Sequence, residues 1–156
     1  QEETDTKEKK PMILVVEDNP DMLAFIRKQL TTEYSVLTAM NGIEALAVLD
    51  NHYVNLVVSD VMMPQMDGCE LCKTIKSDLS YSHIPVVLLT AKTNIQSKIE
   101  GLELGADAYI EKPFSVEYLL ANISSLIHNR EKLRQTFAKS PFVAANTMAL
   151  KSLYGS

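Results

Sequence analysis

Five short apolar runs punctuate the chain, and between them apolar residues recur every three or four positions. Met12 to Val16, Tyr34 to Ala39, Leu56 to Asp60, Pro85 to Thr90 and Ala108 to Ile110 are the runs, each bounded by polar or turn-forming residues. Runs of this length without polar alternation suit strands buried on both faces of a parallel sheet. Pro85 takes the first position of its strand, where a missing N–H is tolerated.

The intervening stretches carry helix signals. Asn19 caps a helix whose first residue is Pro20, and Met22, Leu23, Ile26 and Leu30 follow at helical spacing. Asn41 and Glu44 resemble a capping box for a helix from Gly42 to about Asn51, with Ala45, Leu46 and Leu49 inward. Asp67-Gly68 leads into a helix through Leu71, Ile75 and Lys76 that loses its pattern near Asp78-Leu79-Ser80. Ile95, Ile99 and Leu102 mark the next, which Gly105 ends as a left-handed cap. The last starts after Ser115 with Val116, Leu119, Leu120, Ile123, Leu126 and Ile127. Its pattern continues through Leu133 and Phe137 to about Lys139, where Ser140-Pro141 should stop it.

Strands alternating with helices over short connections predict a three-layer, flavodoxin-like α/β fold. Its five-stranded parallel sheet has the order 2-1-3-4-5, flanked by five helices. The switch point, where such folds bind ligands, then lies between the first and third strands. Those strands run into Glu17-Asp18 and end in Asp60 respectively.

Composition adds limits. With 156 residues, 46% hydrophobic and 22% charged, the chain has the makings of one domain and an appendage. Gln1 to Lys10 is almost wholly polar and reads as a charged linker cut from a longer protein. Residues 11–130 form the domain, and 131–156 are an extended helix and connector or tail. The net charge of −5 argues against nucleic-acid binding by the segment. From His128 onward five bases face one acid, a net of +4, which leaves −9 for residues 1–127. The bland reading of that tail is a solvated face. No apolar run reaches the ~20 residues of a membrane-spanning helix, so a cytoplasmic segment is expected, with any anchor elsewhere in the parent chain. Cys69 and Cys72 lack a second cysteine pair or a histidine to complete a zinc site, and are read as incidental reduced thiols.

In the predicted topology Glu17, Asp18, Asp60, Thr90 and Lys112 share one edge of the sheet. Two carboxylates about 4 Å apart repel by roughly 4 kcal/mol at an effective dielectric near 20, so three of them require a cation or shifted pKa values. An oxygen-only cluster favours a hard ion, with Mg²⁺ the natural choice. A lysine opposite such an ion can hold a phosphoryl group between two positive charges, and Thr90 can donate to its oxygens. The ionised Asp60 then attacks phosphorus, and the chemistry implied is phosphoryl transfer to Asp60. Taken singly, each residue has a plainer reading as a cap, a strand residue or a surface charge.

Val15-Val16-Glu17-Asp18-Asn19, Ser59-Asp60-Val61-Met62-Met63-Pro64-Gln65-Met66-Asp67-Gly68, Leu89-Thr90-Ala91-Lys92 and Tyr109-Ile110-Glu111-Lys112-Pro113-Phe114 together resemble the signature of response-regulator receiver domains of two-component systems. The resemblance covers about residues 11–130. It implies Asp60 as phosphoacceptor and Glu17 and Asp18 as the acidic pair around Mg²⁺, with the Met62 backbone carbonyl as a further ligand. Thr90 and Tyr109 become the switch pair, Lys112 the phosphate-binding lysine, and Lys112–Pro113 a cis bond. Glu17 stands where many members have Asp, and small Ala91 beside the acceptor fits the pattern.

The implied partners are a histidine kinase or its phosphohistidine domain, and an output domain, DNA-binding in the full-length chain. The segment from Arg134 to Phe142 is similar to the connector before helix-turn-helix output domains in hybrid histidine kinases, and offers a route to a homodimer. The segment is thus read as a phosphoacceptor with slow self-dephosphorylation, not a turnover enzyme. The alternative is an aspartyl-phosphate phosphohydrolase of the haloacid-dehalogenase type, which looks for a second Asp where this chain has Met62. Neither glycine-rich nucleotide loop occurs.

Overall fold

Strands without polar alternation need cover on both faces, and the chain supplies it. The computed structural model describes residues 9–91 and 95–139. Its elements are β1 (Met12–Val16), α1 (Pro20–Leu30), β2 (Ser35–Ala39), α2 (Gly42–Asn51), β3 (Leu56–Asp60), α3 (Gly68–Ser77), β4 (Val86–Thr90), α4 (Ile95–Glu103), β5 (Ala108–Glu111) and α5 (Val116–Lys139). The strands form one parallel sheet in the order β2-β1-β3-β4-β5, as the hydrophobic pattern predicts. Most of the predicted linker, Lys92, the Ser140-Pro141 stop and the tail lie outside the described residues, as do the side chains of Ile95 and Phe137.

Burial follows position in the sheet. Central β3 and β4 are buried at every residue, whereas edge strands β2 and β5 are mostly half-buried. Leu14, Val57, Val86 and Leu88 join Leu71, Cys72 and Ile75 of α3 in an apolar core cluster. Neither Cys69 nor Cys72 forms a disulfide, and burial pushes the Cys72 thiol up to about 11.

Local signals place the helix starts. The Asn19 side chain accepts from the N–H groups of Asp21 and Met22 at 2.9 and 3.0 Å, and Pro20 occupies the first helical position. Asn41 accepts from Glu44 N–H at 2.9 Å; the return bond of the box goes one residue upstream, from Met40 N–H to Glu44 Oε1 at 2.8 Å. Gly105 closes α4 with φ of +98°. One detail departs from the sequence pattern. Ile99 and Leu102 of α4 are exposed, and the buried position between them is Gly101.

The chain divides into two units, residues 1–123 and 124–156, the first containing the sheet. Within the second, Leu133 is exposed and Arg134 pairs with Glu131 at 2.6 Å. Among the described residues no helix is long and apolar enough to cross a membrane.

Candidate functional site

The parallel sheet brings every strand to a carboxyl end on one edge, so residues far apart in sequence converge there. Asp60 is the last residue of β3 and is 6% exposed. Its backbone is held on three sides. Ser59 Oγ donates to the Asp60 carbonyl at 2.8 Å, and the next residue, Val61, donates its N–H to Leu89 O of β4 at 2.9 Å. The first residue of α3 presses on it from above: a Cβ at Gly68 would overlap the Asp60 carbonyl oxygen and lie 3.0 Å from its carbon. Only glycine fits this approach.

Glu17 follows β1 directly. Its N–H donates to Ala39 O of β2 at 3.0 Å, and its carboxylate accepts from Asn19 N–H at 3.1 Å. The residue is 3% exposed, while the neighbouring Asp18 is half-buried. One carboxylate oxygen from each of Glu17, Asp18 and Asp60 lies within 4.8 Å of the other two. Burial raises the Glu17 carboxyl above its usual range; the Asn19 N–H opposes this, Asp60 adds to it and Lys112 opposes it.

Lys112 enters from the end of β5. Its N–H donates to Thr90 O at 2.7 Å, which ties it to the end of β4, and the Lys112–Pro113 bond is cis, as the family resemblance implies. Its ammonium stands 2.6 Å from Asp60 Oδ1 and 3.4 Å from Glu17 Oε1. Burial works to lower the lysine's pKa, but the hydrogen bond and charge of Asp60, joined by Glu17, outweigh it and the net shift is upward.

Three carboxylates against one ammonium leave a deficit of positive charge that a divalent cation would meet. Every donor in the cluster is a carboxylate oxygen, which suits a hard ion. An octahedral ion with ligands at about 2.0–2.1 Å spans roughly 2.9 to 4.2 Å between ligand oxygens. The three carboxylate oxygens lie within 4.8 Å of one another, a grouping compatible with one shared ion.

The remaining predicted residues lie around this group. Thr90 ends β4 and is fully buried. Tyr109 pairs in register with Leu88, two residues before Thr90, so the two side chains share one face of the sheet. The Tyr109 ring itself rests against Gly101 of α4. Met62 has an exposed side chain, and Ala91 and Pro113 are exposed. Sequence reasoning missed Ser59, the Asn19 backbone N–H and the steric role of Gly68. The last had a signal, because Asp67-Gly68 stands out as a turn, but its contact with Asp60 is a matter of tertiary approach.

Residues 13–124 match the model of the response regulator receiver domain. The chain is 40% identical over 148 residues to Histidine kinase P4 of Formosa agariphila, a match that covers 95% of this chain and 11% of that protein. It is 42% identical over 125 residues to a probable transcriptional regulator, ycf27, of Pyropia yezoensis, covering 80% of this chain and 50% of the regulator. The chain therefore spans half or less of the length of these curated relatives. Among solved structures, the CheY-like response regulator receiver domain protein of Methanospirillum hungatei JF-1 superposes with a TM-score of 0.73 at 30% identity. That match covers 79% of this chain and 98% of the other.

Proposed function

This chain belongs to the response regulator receiver domain family, and on that footing we propose that Asp60 accepts a phosphoryl group from the phosphohistidine of a histidine kinase or of its phosphohistidine domain. The observation that carries the proposal is the placement of Asp60, buried at a strand end, 2.6 Å from Lys112 and clustered with Glu17 and Asp18. An Asp60 carboxylate oxygen forms the new bond to phosphorus. The phosphorus–nitrogen bond breaks, and the imidazole leaves with its electron pair. Lys112, tethered through its backbone to Thr90, stands where the incoming phosphoryl oxygens would need a cation.

Glu17, Asp18, Asp60 and the Met62 backbone carbonyl are the proposed Mg²⁺ ligands. A bound Mg²⁺ would screen the repulsion between these carboxylates and the arriving phosphoryl oxygens. Thr90 then turns its hydroxyl toward the phosphoryl group, and Tyr109 moves on the same sheet face into the space left behind. Moving such an equilibrium from 1:99 to 99:1 takes about 5.5 kcal/mol of differential binding, within reach of a few charge-assisted hydrogen bonds. Ala91 leaves room beside the acceptor, and Pro113 shapes the turn that presents Lys112.

At the level of the whole protein, we read residues 11–130 as the receiver, after a charged linker in 1–10. It would serve within a longer cytoplasmic-side signalling chain of the hybrid histidine kinase type, since nearly all of it matches a small part of a histidine kinase. Residues 131–156, beginning within α5, would connect it to a DNA-binding output domain and offer a homodimer contact. On this reading the segment is a phosphoacceptor that hydrolyses its own phosphoryl group slowly. The comparisons give the haloacid-dehalogenase alternative no support, and Met62 stands where that chemistry needs an acid. The test is labelling by acetyl phosphate with Mg²⁺: Asp60→Asn should abolish it, and label persisting on another residue would overturn the assignment.

A further inference from the structure

The α4 helix turns a residue without a side chain toward the sheet. Its apolar Ile99 and Leu102 face outward, while Gly101 is buried against β5. A Cβ built on Gly101 would overlap Cδ1 and Cε1 of the Tyr109 ring and lie 3.4 Å from Cζ. The aromatic ring thus occupies the volume that any other residue at position 101 would claim. A ring edge cannot yield as a flexible chain end does, so the two claims on this space are exclusive.

The location of this berth gives it consequence. Tyr109 pairs with Leu88, and Thr90 is the next residue on the same face of β4, one diagonal step away. From its place beside Gly101 the ring can leave for solvent or swing along the sheet face toward Thr90. We infer that Gly101 is a positioning residue for the switch: it provides the berth in which the Tyr109 ring rests while Asp60 carries no phosphoryl group. This rests on the reading of Thr90 and Tyr109 as a coupled pair. It adds that the resting position is selected by the absence of a side chain on α4. Filling the berth removes the resting state, so the moved state becomes populated without phosphorylation. By linkage, a ligand that favours the moved state then binds more tightly, by a factor limited by how rarely the native protein visits that state.

The experiment incorporates 3-fluorotyrosine into the full 156-residue chain, assigns the Tyr109 resonance by its loss in Tyr109→Phe, and titrates with beryllofluoride and Mg²⁺. In the native sequence the Tyr109 resonance should shift on titration; no shift while Asp60 binds beryllofluoride would overturn the switch reading itself. Gly101→Ala should show the resonance displaced before titration, a smaller further shift, and tighter beryllofluoride binding. An unmoved resonance overturns the inference, and so does a displaced one with weaker or unchanged binding, which would mean that the ring had left for solvent. Should Gly101→Ala fail to fold, the Gly101→Ala/Tyr109→Ala pair decides. Recovery of the folded state supports direct competition for the space, and failure to recover overturns it.

Discussion

Lys112 Nζ lies 2.6 Å from Asp60 Oδ1 and 3.4 Å from Glu17 Oε1, so one ammonium faces two largely buried carboxylates. It holds the site together while leaving it electrically incomplete. The same imbalance would let the site take a divalent cation, and would let the lysine turn to a phosphoryl oxygen once one arrives.

Removing that ammonium should cost stability. Lys112→Met leaves Asp60 and Glu17 repelling each other with neither paired, and the expected loss in metal-free urea denaturation is about 1–3 kcal/mol. The estimate sits below the full cost of breaking a buried pair, because Lys112 keeps 22% of its side-chain surface in water. Added Mg²⁺ should recover part of the deficit. A variant as stable as the native chain without metal would count against the electrostatic account.

Magnesium itself should stabilise the native chain. At a concentration 100-fold above its Kd the gain is about 2.7 kcal/mol, readable as a rise of several degrees in melting temperature over a chelator control. Asp18→Asn should lose most of that rise. An equal rise in the variant would place the ion elsewhere.

The raised Glu17 carboxyl carries a pH signature in the metal-free protein. A carboxyl whose folded pKa lies above its unfolded value of 4.5 contributes stability below that value and loses it as pH rises through the folded pKa. Glu17→Gln should therefore be more stable than the native chain at neutral pH without metal, with the advantage vanishing below about pH 4.5. Urea midpoints across pH 4 to 8 would check it, and a parallel pair of curves would refute it.

Gly68 tests the approach of α3 to Asp60. Helix propensity alone favours Gly68→Ala by up to about 1 kcal/mol. The added methyl would overlap the Asp60 carbonyl, which is backbone and cannot rotate aside, and overpacking of this kind costs roughly 1–3 kcal/mol. The clash should win, with lower stability and slower acetyl phosphate labelling. A stabilised, fully labelled variant would show that α3 can shift freely.

Away from the site, the Tyr81 hydroxyl donates to Asp50 and links the loop after α3 to α2. That hydrogen bond, with lesser help from burial, pushes the phenol up to about 12 from its usual 10. The stabilising influence is present below pH 10 and disappears as pH rises through 12. Ultraviolet titration should therefore reveal a late-ionising tyrosine that is missing in Tyr81→Phe.

How much of this was legible beforehand varies with the range of the interaction. Strand and helix positions followed from apolar runs, from Asn19 and Asn41 as caps, from the Asp67-Gly68 turn, and from Gly105, because each depends on neighbours a few residues away. The sheet order followed once strands alternated with helices. The convergence of Glu17, Asp18, Asp60 and Lys112 on one edge followed in turn from that order. The outward turn of Ile99 and Leu102 did not follow, because helical periodicity names an apolar stripe without saying which side the sheet will demand.

By itself, then, the amino-acid sequence determined the elements, their parallel arrangement and the cast of charged residues at the strand ends. Tertiary structure alone decided that Lys112 bonds Asp60 more closely than Glu17, that Gly68 seats α3 on the Asp60 carbonyl, and that Tyr109 rests against Gly101. These are contacts of a few ångströms between segments distant in the chain. They depend on how whole elements dock, which no local spacing records.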